Sequence, residues 1–136
     1  MNSDHLKRHI EENAETIRRL HDRIDDTYAQ KTRSPDHHKK WSEACAEFHA
    51  RFDELSFPGG FETARERIMA GDLETIEAAL CFVELRPYFF RSGYMYDALI
   101  RKLKHASFSD SQAMRFQVVL TRLKAWRESK KSAPSA

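Results

Sequence analysis

Cys45, His49 and Asp53 recur at four-residue intervals, so on a helix a thiol, an imidazole and a carboxylate share one stripe. These are the parts of a thiol enzyme, yet side chains stacked along one stripe do not converge on a point where an oxyanion could be held. Cys45 also continues an apolar line through Trp41, Phe48, Phe52 and Leu55, which predicts a core position for it. His5, His9 and Glu12 give the best metal-like spacing, two imidazoles and a carboxylate at i, i+4 and i+7, but no partner ligand sits on a neighbouring element. His37-His38-Lys39-Lys40 reads as a solvated helix start. There is no Gly-rich phosphate loop, Gly-x-Ser-x-Gly elbow, His-Glu-x-x-His, paired Cys-x-x-Cys or Glu-x-x-His. The expectation is a non-enzyme with no catalytic, metal or cofactor residues.

The segment from Arg86 to Tyr96 is the most unusual in the chain. Tyr88, Phe89, Phe90, Tyr94 and Tyr96 are five aromatics within nine residues, flanked by Arg86 and Arg91 and followed by Arg101, Lys102, Lys104 and His105. Such a mixture supplies stacking surfaces beside charge, which suits single-stranded nucleic acid, and it is equally the composition of protein hot spots. Pro87 ends one helix and Ser92-Gly93 starts the next, so the connection between them is expected to sink Phe89 and Phe90 into the core. That leaves the tyrosines and cations at the rim. Arg86, Tyr88, Arg91, Tyr94, Arg101 and Lys102 are the expected partner-binding residues, with an acidic surface as their target.

The elements that would position these residues read as helices. Leu6, Ile10, Ile17, Leu20 and Ile24 follow a seven-residue rhythm with Asn13 in one slot, predicting a helix over residues 3–31 with a coiled-coil-like seam. At 1.5 Å per residue it would span about 43 Å, longer than the roughly 37 Å diameter of a compact chain of this size, which suggests overhang or a homodimer. Ser34-Pro35-Asp36 restarts the chain as a helix that runs to Pro58-Gly59-Gly60. A short helix from Phe61 to about Ala70 follows, then a C′ glycine at Gly71 and an N-cap at Asp72. Leu73, Ile76, Ala79, Leu80 and Val83 mark the next helix. Leu99, Ile100 and Leu103 mark another, and Ser109 with Gln112 forms a capping box before a last stripe from Ala113 to Trp126. The predicted fold is all-α, five to six helices in a compact bundle or in stacked hairpins. Residues 1–128 would form a single helical domain, residues 1–33 its long N-terminal helix, and 129–136 a flexible tail.

Composition agrees with this reading. The 136 residues are 40% hydrophobic and 32% charged with only 4 Gly and 4 Pro, too apolar for disorder and too poor in turn formers for a many-stranded fold. Two cysteines make no disulfide framework, and both are expected to be buried, reduced and chemically quiet. With no secretory pattern in the first twenty residues and no long apolar run, a cytoplasmic protein without membrane contact is expected. Charge is uneven although the net is only +2. Residues 72–84 carry four acids and no base, whereas residues 85–136 carry eleven Lys and Arg against three acids. A basic C-terminal third either binds an external polyanion or pairs with the acidic helix beside it. The functional expectation is a small cytoplasmic interaction module, an adaptor, an antitoxin-like or inhibitory partner or an assembly subunit. The alternative is a helical subunit that binds nucleic acid through its basic third.

Overall fold

Six helices make up residues 3–132, the span that the computed structural model describes, and no strand occurs among the described residues. They are α1 (Ser3–Tyr28), α2 (Pro35–Ser56), α3 (Ala64–Met69), α4 (Leu73–Leu85), α5 (Ser92–Leu103) and α6 (Asp110–Ser132). Together they form a compact all-α bundle around α4. That helix is buried on all sides from Thr75 to Val83, Glu77 included, as befits a helix at the centre of a domain. Helices α1, α3, α5 and α6 pack against it, and α2 covers the other side of α1. No helix is long and apolar enough to cross a membrane among the described residues.

The N-terminal seam is used within the chain. Leu6, Ile10, Ala14 and Ile17 are buried, and Leu20 and Ile24 pack at the core edge. Ala14 takes the slot that the seven-residue rhythm gave to Asn13, which is half-buried and faces the His9 ring at 3.2 Å. The helix also stops at Tyr28, earlier than the expected residue 31. Thr27 Oγ1 donates back to Arg23 O at 2.7 Å, and Asp25 and Asp26 oppose the negative end of the helix dipole. Lys31 then closes the turn, its ammonium lying 3.9 Å from the Tyr28 ring and 4.6 Å from Trp41.

Other boundaries follow the local chemistry. Ser34 caps α2 by accepting from His37 N–H at 3.2 Å. The third helix begins at Ala64 and not Phe61, because 58–63 is held as a turn: Asp53 accepts from Glu62 N–H at 2.9 Å, and Arg67 reaches Gly60 O at 2.5 Å and Thr75 Oγ1 at 2.8 Å. Gly60 has φ +90°, where any side chain is strained, and a Cβ there would also crowd Asp53 Oδ2, 2.6 Å away, and push that carboxylate off its bond to Glu62. Gly71, with φ +82°, ends α3 in a Schellman motif in which Gly71 and Asp72 N–H donate to Ile68 O and Arg67 O. Ser109 and Gln112 exchange the two bonds of a capping box at 3.1 and 3.2 Å. Helix α6 continues to Ser132, so residues 129–132 are helical where a tail was expected; residues 133–136 lie outside the described residues.

Candidate interaction surface

The connection from α4 to α5 is bracketed by two arginines in the left-handed region, Arg86 at φ 49° and Arg91 at φ 66°. Arg86 closes α4 by donating its N–H to Phe82 O at 2.8 Å, and Pro87 after it disfavours the right-handed helical conformation at that position. Arg91 is the N-cap of α5 and makes no side-chain cap bond; the loop before it is closed by Ser92, whose buried Oγ accepts from Phe89 N–H at 3.0 Å and whose N–H donates to Phe89 O at 3.0 Å. Both left-handed positions would suit glycine, and arginine there carries backbone strain on the order of 1 kcal/mol or more.

Between these brackets the aromatics separate. Phe89 is 6% exposed and meets Phe52 and Phe82 in the core. Phe90 is 49% exposed, which corrects the expectation that both phenylalanines are buried. It stacks on His21 of α1 at 5.3 Å and meets Phe48 of α2 edge-on. Tyr88 is 82% exposed, while its backbone carbonyl accepts from Arg18 Nη1 at 2.7 Å, tying the loop to α1. A depression of about 420 Å³ lies between the loop and α1, walled by Arg18, His21, Asp22, Tyr88, Phe90 and Arg91.

Of the six expected partner-binding residues, Arg86, Tyr88 and Arg91 share one hollow with Pro87 and Tyr96. Tyr94 adjoins it, half-exposed, with the Arg91 guanidinium 5.4 Å from its ring and Phe61 at its edge. The Arg86 guanidinium lies 4.7 Å from the Tyr96 ring and 4.5 Å from Trp126 of α6, so much of its interaction is internal. Tyr96 itself is buried and drops out of the surface, and burial raises its phenol against the opposing charge of Arg86. Arg101 and Lys102 sit at the far end of α5, ten or eleven residues and hence about 15 Å along the axis from Arg91. There they join Arg65 and His105. The six residues thus form two patches at opposite ends of one helix.

The two spacings that resembled chemistry do not assemble a site. On α2, Cys45 is half-buried and not in the core, because Ala44 and Phe48 take the buried positions. His49 is exposed and Asp53 serves the turn at Glu62. His5 and His9 are both exposed. The potential metal-binding group that does draw together among the described residues is His21, Asp22 and Asp25, with one ligand atom from each within 4.8 Å of the others. It rests on one exposed helical turn, and its i, i+1, i+4 spacing is common enough on acidic helices that the sequence offers no signal to single it out.

The acidic helix meets the basic third through Arg115 and Gln112 of α6. Arg115 of α6 bridges Glu77 at 2.8 and 2.9 Å and Glu84 at 2.6 Å, and Lys7 approaches Glu84 at 3.4 Å. Burial works to raise the Glu77 carboxyl, but hydrogen bonds from Arg115, Gln112, Cys81 and Ser3 outweigh it and hold the group at about 2. The same contest, with Arg115 and Lys7 prevailing, lowers Glu84. Burial, followed by the bond to Glu77 and its charge, pushes the Cys81 thiol up to about 11. Comparison with protein-family models, curated proteins and solved structures returns no match for this chain.

Proposed function

We propose that the chain is a small non-catalytic interaction module that docks the loop between α4 and α5 on an acidic protein surface. Tyr88, Arg91 and Tyr94 make the contact with Phe90 beside them, Arg86 fixes the loop against α6, and Arg101 and Lys102 extend the positive surface along α5. The observation that carries this reading is the pair of strained arginines around a loop that leaves Tyr88 82% exposed and Phe90 49% exposed. Strain of this kind is retained where the direction of a side chain matters, and Tyr and Arg are the residues that concentrate binding energy in protein interfaces. Unbridged Cys45 and Cys81 suit work in a reducing cytoplasm. Pairing with a second copy through residues 3–31 has less support, since Leu6, Ile10 and Ile17 are already buried within one chain.

Site-specific photocrosslinking tests the reading. Benzoylphenylalanine at position 88 should capture a discrete protein in the native host after nuclease treatment, whereas the same group at exposed position 49 should not. Purified with that protein, the Arg91→Ala variant should bind at least about tenfold more weakly. Equal capture at both positions would sink the assignment.

A further inference from the structure

We propose that the cleft between α5 and α6 holds the phosphate backbone of a nucleic-acid strand, a role that shares Arg101 with the surface assigned above but rests on α6 and not on the loop, so that either can fail alone. The cleft arises because α5 rests on α3 and α4 while α6 rests on α4. Its volume is about 490 Å³, and its walls carry Arg101 and Lys104 at the C-terminal end of α5, Lys104 as its C-cap, and Lys124, Arg127 and Lys131 from α6. Asp97 and Glu128 are the carboxylates beside them, so five cations stand against two anions. Along α6 the three cations rise by about 4.5 and 6 Å, and the two on α5 are about 4.5 Å apart along the axis. Positive charge repeated on both walls fits a chain with a negative charge on every unit better than it fits one small anion.

Two observations favour phosphate over a protein carboxylate surface. The cleft is lined more by polar than by apolar surface, with Leu120 the one apolar side chain there that is not fully buried, whereas the hollows at the loop are mainly apolar, so a partner's side chains would find less to bury here than at the loop. Three of the five cations are lysines, which are depleted from protein interfaces but serve well as point charges on phosphate. The α4–α5 loop has the opposite character, rich in Tyr, Phe and Arg. Helix α6 adds reach: residues 124–131 are all exposed beyond buried Leu123, and the helix runs on to Ser132 with Lys130 and Lys131 in its final turn. Arg101 also belongs to the neighbouring depression with Arg65, Lys102 and His105, which continues the positive surface around α5.

Fluorescence anisotropy of a labelled single strand of about 20 nucleotides, titrated with the full chain over a range of salt, tests the proposal. Affinity should fall with salt at a log–log slope of about −0.7 per phosphate contacted, hence about −2 to −3.5 for three to five contacts. Lys124→Gln/Arg127→Gln should weaken binding at least about tenfold and make the slope shallower by about 1.4. Lys39→Gln/Lys40→Gln, which removes as much charge from the exposed start of α2, should change neither, and circular dichroism should show all three proteins equally helical. Absence of binding at low salt overturns the proposal, as does equal binding by the cleft variant. Displacement of the strand by poly-glutamate at equal charge concentration would also overturn it, making the cleft a site for acidic protein.

Discussion

Arg115 and Glu77 face each other in a two-pronged pair, Nη1 to Oε1 at 2.8 Å and Nη2 to Oε2 at 2.9 Å, that fastens α6 to the central helix. The pair is mostly shielded, with side-chain exposures of 26% and 12%. Removing one partner strands the other charge at low solvent access. Arg115→Ala should therefore destabilise the protein by about 2–3 kcal/mol in urea unfolding, somewhat less than a fully buried pair because water still reaches the guanidinium. A loss under about 0.5 kcal/mol would mean that Phe116, Val119 and Leu123 hold α6 unaided.

The same pair sets an acid limit. The Glu77 carboxyl sits at about 2 in the folded chain against an ordinary 4.5, so its folded value is depressed. Its contribution is then complete above about pH 5 and is lost as pH falls through 4.5 toward 2. Unfolding free energy should drop by on the order of 1–3 kcal/mol over that window. Glu77→Gln should flatten the acid limb while lowering stability at pH 7; an unchanged limb would assign it to other carboxylates.

Thiol chemistry should distinguish the two cysteines. Cys81 is fully buried and its thiol is raised to about 11, so little thiolate exists near neutral pH. Cys45 is half-buried on α2. Titration with a thiol reagent should label one group in the native protein and the second only on unfolding, and Cys45→Ala should abolish the native signal. Native labelling in that variant would show that α4 opens readily.

What was legible in the sequence is what helical periodicity and caps encode. Gly71-Asp72, Ser34-Pro35 and Ser109-x-x-Gln112 act through contacts within a few residues, so their types alone place the helix ends. The six helices and the core role of Leu80, Leu99 and Leu103 follow from the same local rules. Neighbours from distant parts of the chain were not legible. Asn13 and Ala14 compete for one seam slot, and the approach of α4 decides between them. Trp126 lies on a correct helical stripe yet is 44% exposed, because α6 has outrun the core and the ring meets Arg86 instead. In the 86–91 loop no period applies, so the sequence cannot say which of two adjacent phenylalanines turns inward.

That ambiguity makes the loop the sharpest place to separate folding from binding. Phe89 fills the core beside Phe52 and Phe82, so Phe89→Ala should destabilise by about 3–5 kcal/mol through the cavity it leaves. Phe90 retains half its surface in water while stacking on His21, so Phe90→Ala should lower stability by only about 1 kcal/mol. Arg91→Gly should separate the two properties. Glycine adopts φ 66° without a Cβ clash, which recovers up to about 1 kcal/mol of strain, offset in part by the greater freedom of the unfolded chain. Stability should therefore stay within about 0.5 kcal/mol of the native value, whereas binding to the photocrosslinked partner should weaken at least about tenfold as the guanidinium beside Tyr94 is lost. If Arg91→Gly binds that partner as tightly as the native protein, the left-handed arginine serves only the turn, and the interaction surface must lie elsewhere.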